Sequence, residues 1–282
     1  MSDITVINDS EQSSLVTNGL AKNGELYLKA AGSTDAGAVI VYDSGAWRTF
    51  ANEGGAFSNA YSVELDGSND YINIPHDSSL TIAGDLSISA WVYRDSTATD
   101  FWSIITKRGS TASNTTYQFY LDRISSGGML RFYNGSSANS PSGGTNVPTN
   151  QWAHVAITID SGVSNGTKWY VNGTAESSTN TFTINKSNTD DVTIGRLGST
   201  SSYYSKGKID EVGLFSSVLS ASDITDIYNS GVPADLTSYS PVGWWRMGDD
   251  DSGTGTTVTD QGSGSNDGTL TNGPTFSSSV PS

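Results

Sequence analysis

The chain has 282 residues, enough for one large β-sandwich or for two domains, and its 31 Gly, 13 Tyr, 8 Phe and 7 Trp suit many short strands joined by turns. Its 29 acidic residues against 14 basic ones give a formal net charge of −15, which repels a phosphate backbone and excludes a basic footprint for nucleic acid. There is no cysteine, hence no disulfide framework, thiol nucleophile or thiolate metal site, and no apolar run approaches the ~20 residues that span a bilayer.

The first residues, "MSDITVINDSEQSS", have neither a basic nor an apolar signal region, so synthesis and assembly in a cytoplasm are expected. Residues 1–55 hold the strand-like pieces "ITVI", "GELYLKA", "AVIVY" and "AWRTF". The last two form a hairpin around Asp43–Gly45, with Val39, Val41, Trp47 and Phe50 as apolar anchors. So small a β-segment needs something to dock on, either the following domain or another subunit.

Residues 56–282 are read as a second domain. From Tyr61 the strand signals become dense, through "YSVEL", "DYINI", "LSISAWVY", "WSIIT", "TYQFYLD", "GMLRFYN", "WAHVAITI", "TKWYV", "DVTIG" and "KIDEVGLF". In "LSISAWVY" the residues Leu86, Ile88, Ala90 and Val92 share one face, and Ser87, Ser89, Trp91 and Tyr93 the other. Strands at this spacing, with Gly-, Asn- and Ser-rich joints, describe an all-β antiparallel sandwich or jelly roll. One short helix interrupts it: Ser220 caps "SASDITDIYNSG", Asp223 completes the capping box, Ile224, Ile227 and Tyr228 make the apolar stripe, and Gly231 follows the end.

The C-terminal stretch "VGWWRMGDDDSGTGTTVTDQGSGSNDGTLTNGPTF" could be a tail, a metal loop or structural material. Val242, Trp244, Trp245 and Met247 are costly to leave in water, so "VGWWRM" is expected to be a strand completing the sandwich of its own chain or of a neighbouring subunit. The three aspartates at 249–251 read as a solvated turn.

The strings "YSVELDGSNDYINIP", "LTIAGDLSISAWVYRD", "NQWAHVAITID", "KWYVNGT", "VTIGRLG" and "GKIDEVGLFSSVLSASDITDIYNSG" resemble, in order and spacing, the strands of a laminin-G-like, concanavalin-A-like lectin/glucanase domain. That fold hosts sugar binding, adhesion, hydrolysis and structural roles. In such domains the segment like "WW…NDGTL…GPTF" usually precedes the strand like "YSVELDGSNDY"; here it comes last, as if the domain were circularly permuted. The resemblance also implies a Ca²⁺ at the sandwich edge, with Asp66 and Asp210 as ligands and Asp70 as a supplement. The alternative is that Asp66 and Asp70 cap a turn and Asp210 bonds a loop N–H.

No catalytic site is expected. Laminarinase-like relatives carry E-x-D-x-x-E, because one carboxyl must donate a proton while another attacks or activates water. The nearest run, "VELDGSND", offers Glu64 and Asp66, but the turn misplaces Asp70. His154 reads as a structural strand residue and His76 as a loop residue without a nucleophile. Trp91, Tyr93, Trp169, Tyr203 and Tyr204 could stack on sugar rings; packing is the favoured reading. The sequons at Asn114, Asn165 and Asn172 read as turns.

"NGELYLKAAGSTDAGAVIVYDSGAWRTF" resembles a short module recurrent in bacteriophage virion proteins. This resemblance implies a virion structural protein (a fibre, appendage or capsid decoration) with residues 1–55 bound to other virion proteins. The sandwich would project outward, engaging a host-surface glycan or a neighbouring protein, in a homo-oligomer assembled in the host cytoplasm. A free carbohydrate-binding module or adhesin is the alternative, and a glycan hydrolase a more remote one.

Overall fold

The computed structural model describes residues 57–136, 144–198 and 203–282, together with the backbone of four strands nearer the N-terminus. The chain divides into two compact units, residues 1–58 and 59–282. In the first, β1 (Thr5–Ile7) runs parallel to β2 (Leu26–Lys29), which is antiparallel to β3 (Val39–Asp43), itself antiparallel to β4 (Ala46–Phe50). Asp43 lies opposite Ala46, which makes β3 and β4 the hairpin expected at this place. Its turn residues Ser44 and Gly45, and the side chains of Val39, Val41, Trp47 and Phe50, lie outside the described residues.

In the second unit the strands follow in order as β5 (Ser62–Asp66), β6 (Tyr71–Ile74), β7 (Leu86–Arg94), β8 (Trp102–Arg108), β9 (Thr115–Leu121) and β10 (Leu130–Tyr133). Next come β11 (Trp152–Ile159), β12 (Thr167–Val171), β13 (Thr174–Asn180), β14 (Val192–Ile194) and β15 (Lys206–Phe215). After the helix α1 (Ala221–Tyr228) come β16 (Gly243–Trp245), β17 (Thr257–Val258), β18 (Gly268–Thr271) and β19 (Thr275–Ser277). One sheet has the order β10-β9-β8-β14-β6-β18-β17, the other β13-β12-β11-β7-β15-β5-β19, with β16 also paired to β15. These pairings are antiparallel.

Alternation decides what each strand buries. Leu86, Ile88, Ala90 and Val92 of β7 enter the core, where they meet Ile72 and Ile74 of β6, Phe119 and Leu121 of β9, and Trp169 of β12. The other face of β7 is covered by α1, whose Tyr228 stacks on Trp91 at 5.7 Å. The helix begins with the capping box expected at Ser220 and Asp223, and it ends on Asn229 in the left-handed region.

The C-terminal stretch is built into both sheets of its own chain. β16 pairs with β15, β18 with β6, and β19 with β5. Trp245, Met247 and Val258 are fully buried in the core, and Trp245 Nε1 donates to the Asn266 carbonyl at 2.9 Å. The "DDD" stretch is the turn expected, but only Asp250 of it is exposed. Asp249 accepts from the backbone N–H groups of Ala60 and Tyr61, Asp250 and Asp249 both pair with Arg246, and Asp251 accepts from the N–H and hydroxyl of Thr259. Loops this rich in glycine need such staples to hold one conformation.

β15 is the hinge of the arrangement. One edge is paired along most of its length with β7; the other runs with β5 through Lys206–Ile209 and with β16 through Val212–Leu214. The changeover is an irregularity at Asp210–Glu211, where Glu211 has φ +47°. Glu211 accepts from Trp244 Nε1 at 2.6 Å and from Arg246 Nε at 3.2 Å, and Arg246 also reaches Asp249.

Two outcomes follow. A chain ending at Leu236 would uncover the core edges of β5, β6 and β15, so it should lose its cooperative thermal transition, while Trp245→Ala in the whole chain should cost about 3–5 kcal/mol in denaturant titration. Burial raises the Glu211 carboxyl to about 8 from an ordinary 4.5, although Arg246 and the Trp244 N–H pull it down. A carboxyl raised in the folded state contributes stability that is complete below its ordinary value and lost as the pH climbs through about 8. The melting temperature should therefore fall across that window, and Glu211→Gln should flatten the fall.

Candidate functional site

The two outer faces of the sandwich differ. That of the eight-stranded sheet is occupied in its middle by α1. There His154 lies between Trp91, 5.3 Å away, and Tyr228, 6.1 Å away; neither ring nitrogen has a hydrogen-bond partner, and burial drops the imidazole to about 3. It is a neutral packing residue, as its strand position suggests. Of the aromatics that could stack on a sugar, Trp91 and Trp169 are buried. Tyr93 packs against Trp152 under Lys208. Tyr203 and Tyr204 belong to the outer face of the seven-stranded sheet.

That second face carries a polar row set by strand register. Tyr133, Gln118, Thr106, Thr193, Asn73 and Thr269 lie side by side across β10, β9, β8, β14, β6 and β18. Their chain neighbours, Phe132, Phe119, Ile105, Val192, Ile72 and Leu270 among them, point into the core. Tyr71 is the next outward residue of β6, half-buried like Asn73.

Between β6, β14 and the loop before β14 lies a cleft of about 430 Å³, lined by Tyr71, Asn73, Thr189, Asp190, Asp191, Thr193 and Arg196. The Asp191 carboxylate accepts from Asn73 Nδ2 at 3.0 Å and from the His76 N–H at 2.9 Å, which fixes that wall. Behind it the buried Lys107 ammonium donates to the Asp190 carbonyl at 2.7 Å and meets His76 Nδ1 at 3.1 Å. Desolvation lowers this amine to about 8 in spite of Asp190, Asp191 and Asp77 around it. The Arg196 guanidinium stands 4.9 Å from the Tyr71 ring centre and 5.8 Å from that of Tyr204. Its backbone carbonyl is pinned to the sheet by the hydroxyls of Ser103 and Thr193, each at 2.9 Å. Gly195 lets the chain descend here: at φ +82° a Cβ would stand 2.7 Å from Leu65 Cδ1.

The cleft thus joins an aromatic ring, a carboxylate and an amide linked by a hydrogen bond, a hydroxyl and a guanidinium. Such a set can stack on an apolar ring face and grip neighbouring hydroxyls from one side. Sequence reading did not single out Tyr71, Asn73, Asp191, Thr193 or Arg196. The alternation of "YINI" puts Tyr71 and Asn73 on the outer side, but nothing local shows that β14 lies beside them.

The three residues named for Ca²⁺ do not form one ligand set. Asp66 accepts from the N–H groups of Ser68 and Asn69, and Asp70 accepts from the Asp66 N–H, so both hold the β5–β6 turn. Asp210 sits four residues along β15 from the partner of Asp66, roughly 13 Å at the usual strand rise. It bonds Asn59 and the Glu211 N–H, and burial beside Glu211 pushes its carboxyl well up. Among the described residues no group of three or more acidic or histidine side chains is placed to hold a metal ion.

A comparison with curated proteins found no match. Among solved structures, a "putative carbohydrate binding protein" from Bacteroides ovatus superposes over 92% of this chain and 71% of its own, with a TM-score of 0.61 at 18% identity. The carbohydrate-binding module of a Ruminococcus gnavus sialidase, bound to α2,3-sialyllactose, matches 59% of this chain and 96% of its own at 15% identity and a TM-score of 0.45. An SAP-like pentraxin from Limulus polyphemus matches 61% of this chain and 84% of its own, also at 15% identity and a TM-score of 0.45. Residues 66–225 match the laminin G family described as the concanavalin A-like lectin/glucanases superfamily. With more than half of its length matched by that family and both sheets of the sandwich in place, the chain belongs to the concanavalin A-like lectin/glucanase superfamily.

Proposed function

We propose that this protein is a non-catalytic carbohydrate-binding protein that holds a glycan in the cleft between Tyr71, Asn73, Asp191 and Arg196. The observation that carries this reading is the cleft's chemistry: a half-buried tyrosine ring beside a carboxylate–amide pair, on the outer face of the seven-stranded sheet. The fold shared with the Bacteroides ovatus protein supports it. Cleavage of a glycosidic bond needs two carboxyl groups flanking that bond; the cleft's Asp190 and Asp191 are consecutive residues, and its other charged group is an arginine.

The finer reading, a bacteriophage virion protein attached through residues 1–55 and displaying the sandwich toward host-surface glycans as a homo-oligomer, is supported by the resemblance of residues 23–50. Several weak sugar sites on one particle would bind a repetitive surface far more tightly than one site does.

On a glycan array the intact protein should bind a restricted set of saccharides and release no reducing sugar from them. Tyr71→Ala and Asn73→Ala should each weaken binding about tenfold or more, a loss of roughly 1.4 kcal/mol, while the melting temperature stays close to that of the parent. Binding unaffected by both substitutions would place the sugar elsewhere. For the virion reading, purified particles should contain the chain at stoichiometric levels by mass spectrometry, and deletion of residues 1–55 should abolish its incorporation.

A further inference from the structure

A second aromatic–arginine cluster shares the outer face with the cleft. Phe101 stands edge-on to Tyr120 at 5.6 Å and to Tyr203 at 5.4 Å. The Arg123 guanidinium lies 4.1 Å from the centre of the Phe101 ring and is tethered by Asp100 at 3.2 Å. All of these side chains are half-buried. Tyr203 and Tyr204 are consecutive, and each joins a different cluster: Tyr203 meets Phe101, and Tyr204 meets Tyr71 and Arg196.

Tyr71 is on β6 and Tyr120 on β9, with β14 and β8 between them, so the clusters are separated by three strand spacings, roughly 14 Å. That is more than one sugar ring covers. Arginines on this face are held by polar partners rather than massed into a basic patch: Arg131 bonds Asp122, Arg123 bonds Asp100, Arg108 donates to Gln118, and Arg196 shares the cleft with Asp190 and Asp191. The chain as a whole carries a formal charge of −15. A polyanionic ligand approaching this face would have to cross the field of the acidic surface around it.

We infer that the ligand is an internal stretch of an uncharged polysaccharide, lying across the strands with one sugar in the Tyr71–Arg196 cleft and another on the Phe101–Tyr120–Arg123 platform. This rests on the carbohydrate-binding reading above and adds chain length and charge to it. Stacking against the platform is worth a sugar-length-dependent gain that a single ring cannot realise.

The test is calorimetry of the full chain against ladders of neutral oligosaccharides, from mono- to hexasaccharide, taken from the polysaccharides that the array identifies, at low and high salt. Affinity should rise about tenfold or more with length and then level off, with little dependence on salt, as expected where no net charge is neutralised. Phe101→Leu, which keeps apolar bulk but removes the ring, and Arg123→Met should erase the gain with length and leave monosaccharide affinity unchanged. Tyr71→Ala should reduce binding at every length. Affinity independent of length, or a preference for uronate or sulfated chains that fades with salt, would overturn the inference while leaving the cleft as a sugar site. Binding of no saccharide at all would overturn the carbohydrate reading, and this inference with it.

Discussion

The sandwich depends on how β15 passes from one neighbour to another. Buried on both faces, this strand must have every backbone N–H and C=O paired, yet its second edge is served by two different strands, β5 and then β16. The change requires a register irregularity, and Glu211 takes it up in a left-handed conformation that costs a non-glycine residue about 1–3 kcal/mol. Trp244, Arg246 and Asp249 compensate by fixing the Glu211 carboxyl group and the following turn from the side of the incoming strand. Removing one member of such a buried hydrogen-bonded group leaves another without its partner, which is why these groups are costly to break although they add little when complete. The C-terminal stretch is thus the other half of this junction.

The same junction shows where sequence reading succeeds and where it stops. Alternation in "LSISAWVY", the Ser220–Asp223 capping box and the apolar content of "VGWWRM" each follow from a few neighbouring residues, and each was legible. The roles of the two adjacent tryptophans were not. In a strand they must face opposite ways, so Trp245 enters the core while Trp244 gives its indole N–H to Glu211. Reading that bond requires knowing that β16 lies against β15. Asp210 has the same character: its place in "KIDEV" looks like a ligand position, but its surroundings are assembled from Asn59, Glu211 and Asp249, which are far apart in the sequence.

The candidate site was hidden for a related reason. Of the aromatics that sequence offers for stacking, Trp91, Tyr93, Trp169, Tyr203 and Tyr204, the two tryptophans are buried, as their size favours, and Tyr204 packs beside Tyr71 of the cleft. The half-buried ring that lines the cleft is the tyrosine of a four-residue strand, "YINI", beside an asparagine whose usual role is in turns. Its partners are Thr193, from a strand more than 110 residues later that register alone brings alongside, and Asp191, the residue just before that strand. A binding site spread over a sheet face has no sequence motif, because its spacing is measured across strands rather than along the chain.

This placement also ties binding to the C-terminal strands. β6 would be an edge strand on one side without β18, which lays Thr269 beside Asn73 and Thr271 beside Tyr71. An unpaired edge frays and its side chains sample several rotamers, so the wall that carries Tyr71 and Asn73 is held still only when the last strands are in place. Ordering those side chains during binding would cost affinity that a preformed wall avoids. Chain order can therefore be permuted without changing the face, provided the late strands return to flank the early ones, and the bonds from Asp249 to Ala60 and Tyr61 and from Ser62 to the Ser279 carbonyl fasten the late strands to the start of the domain.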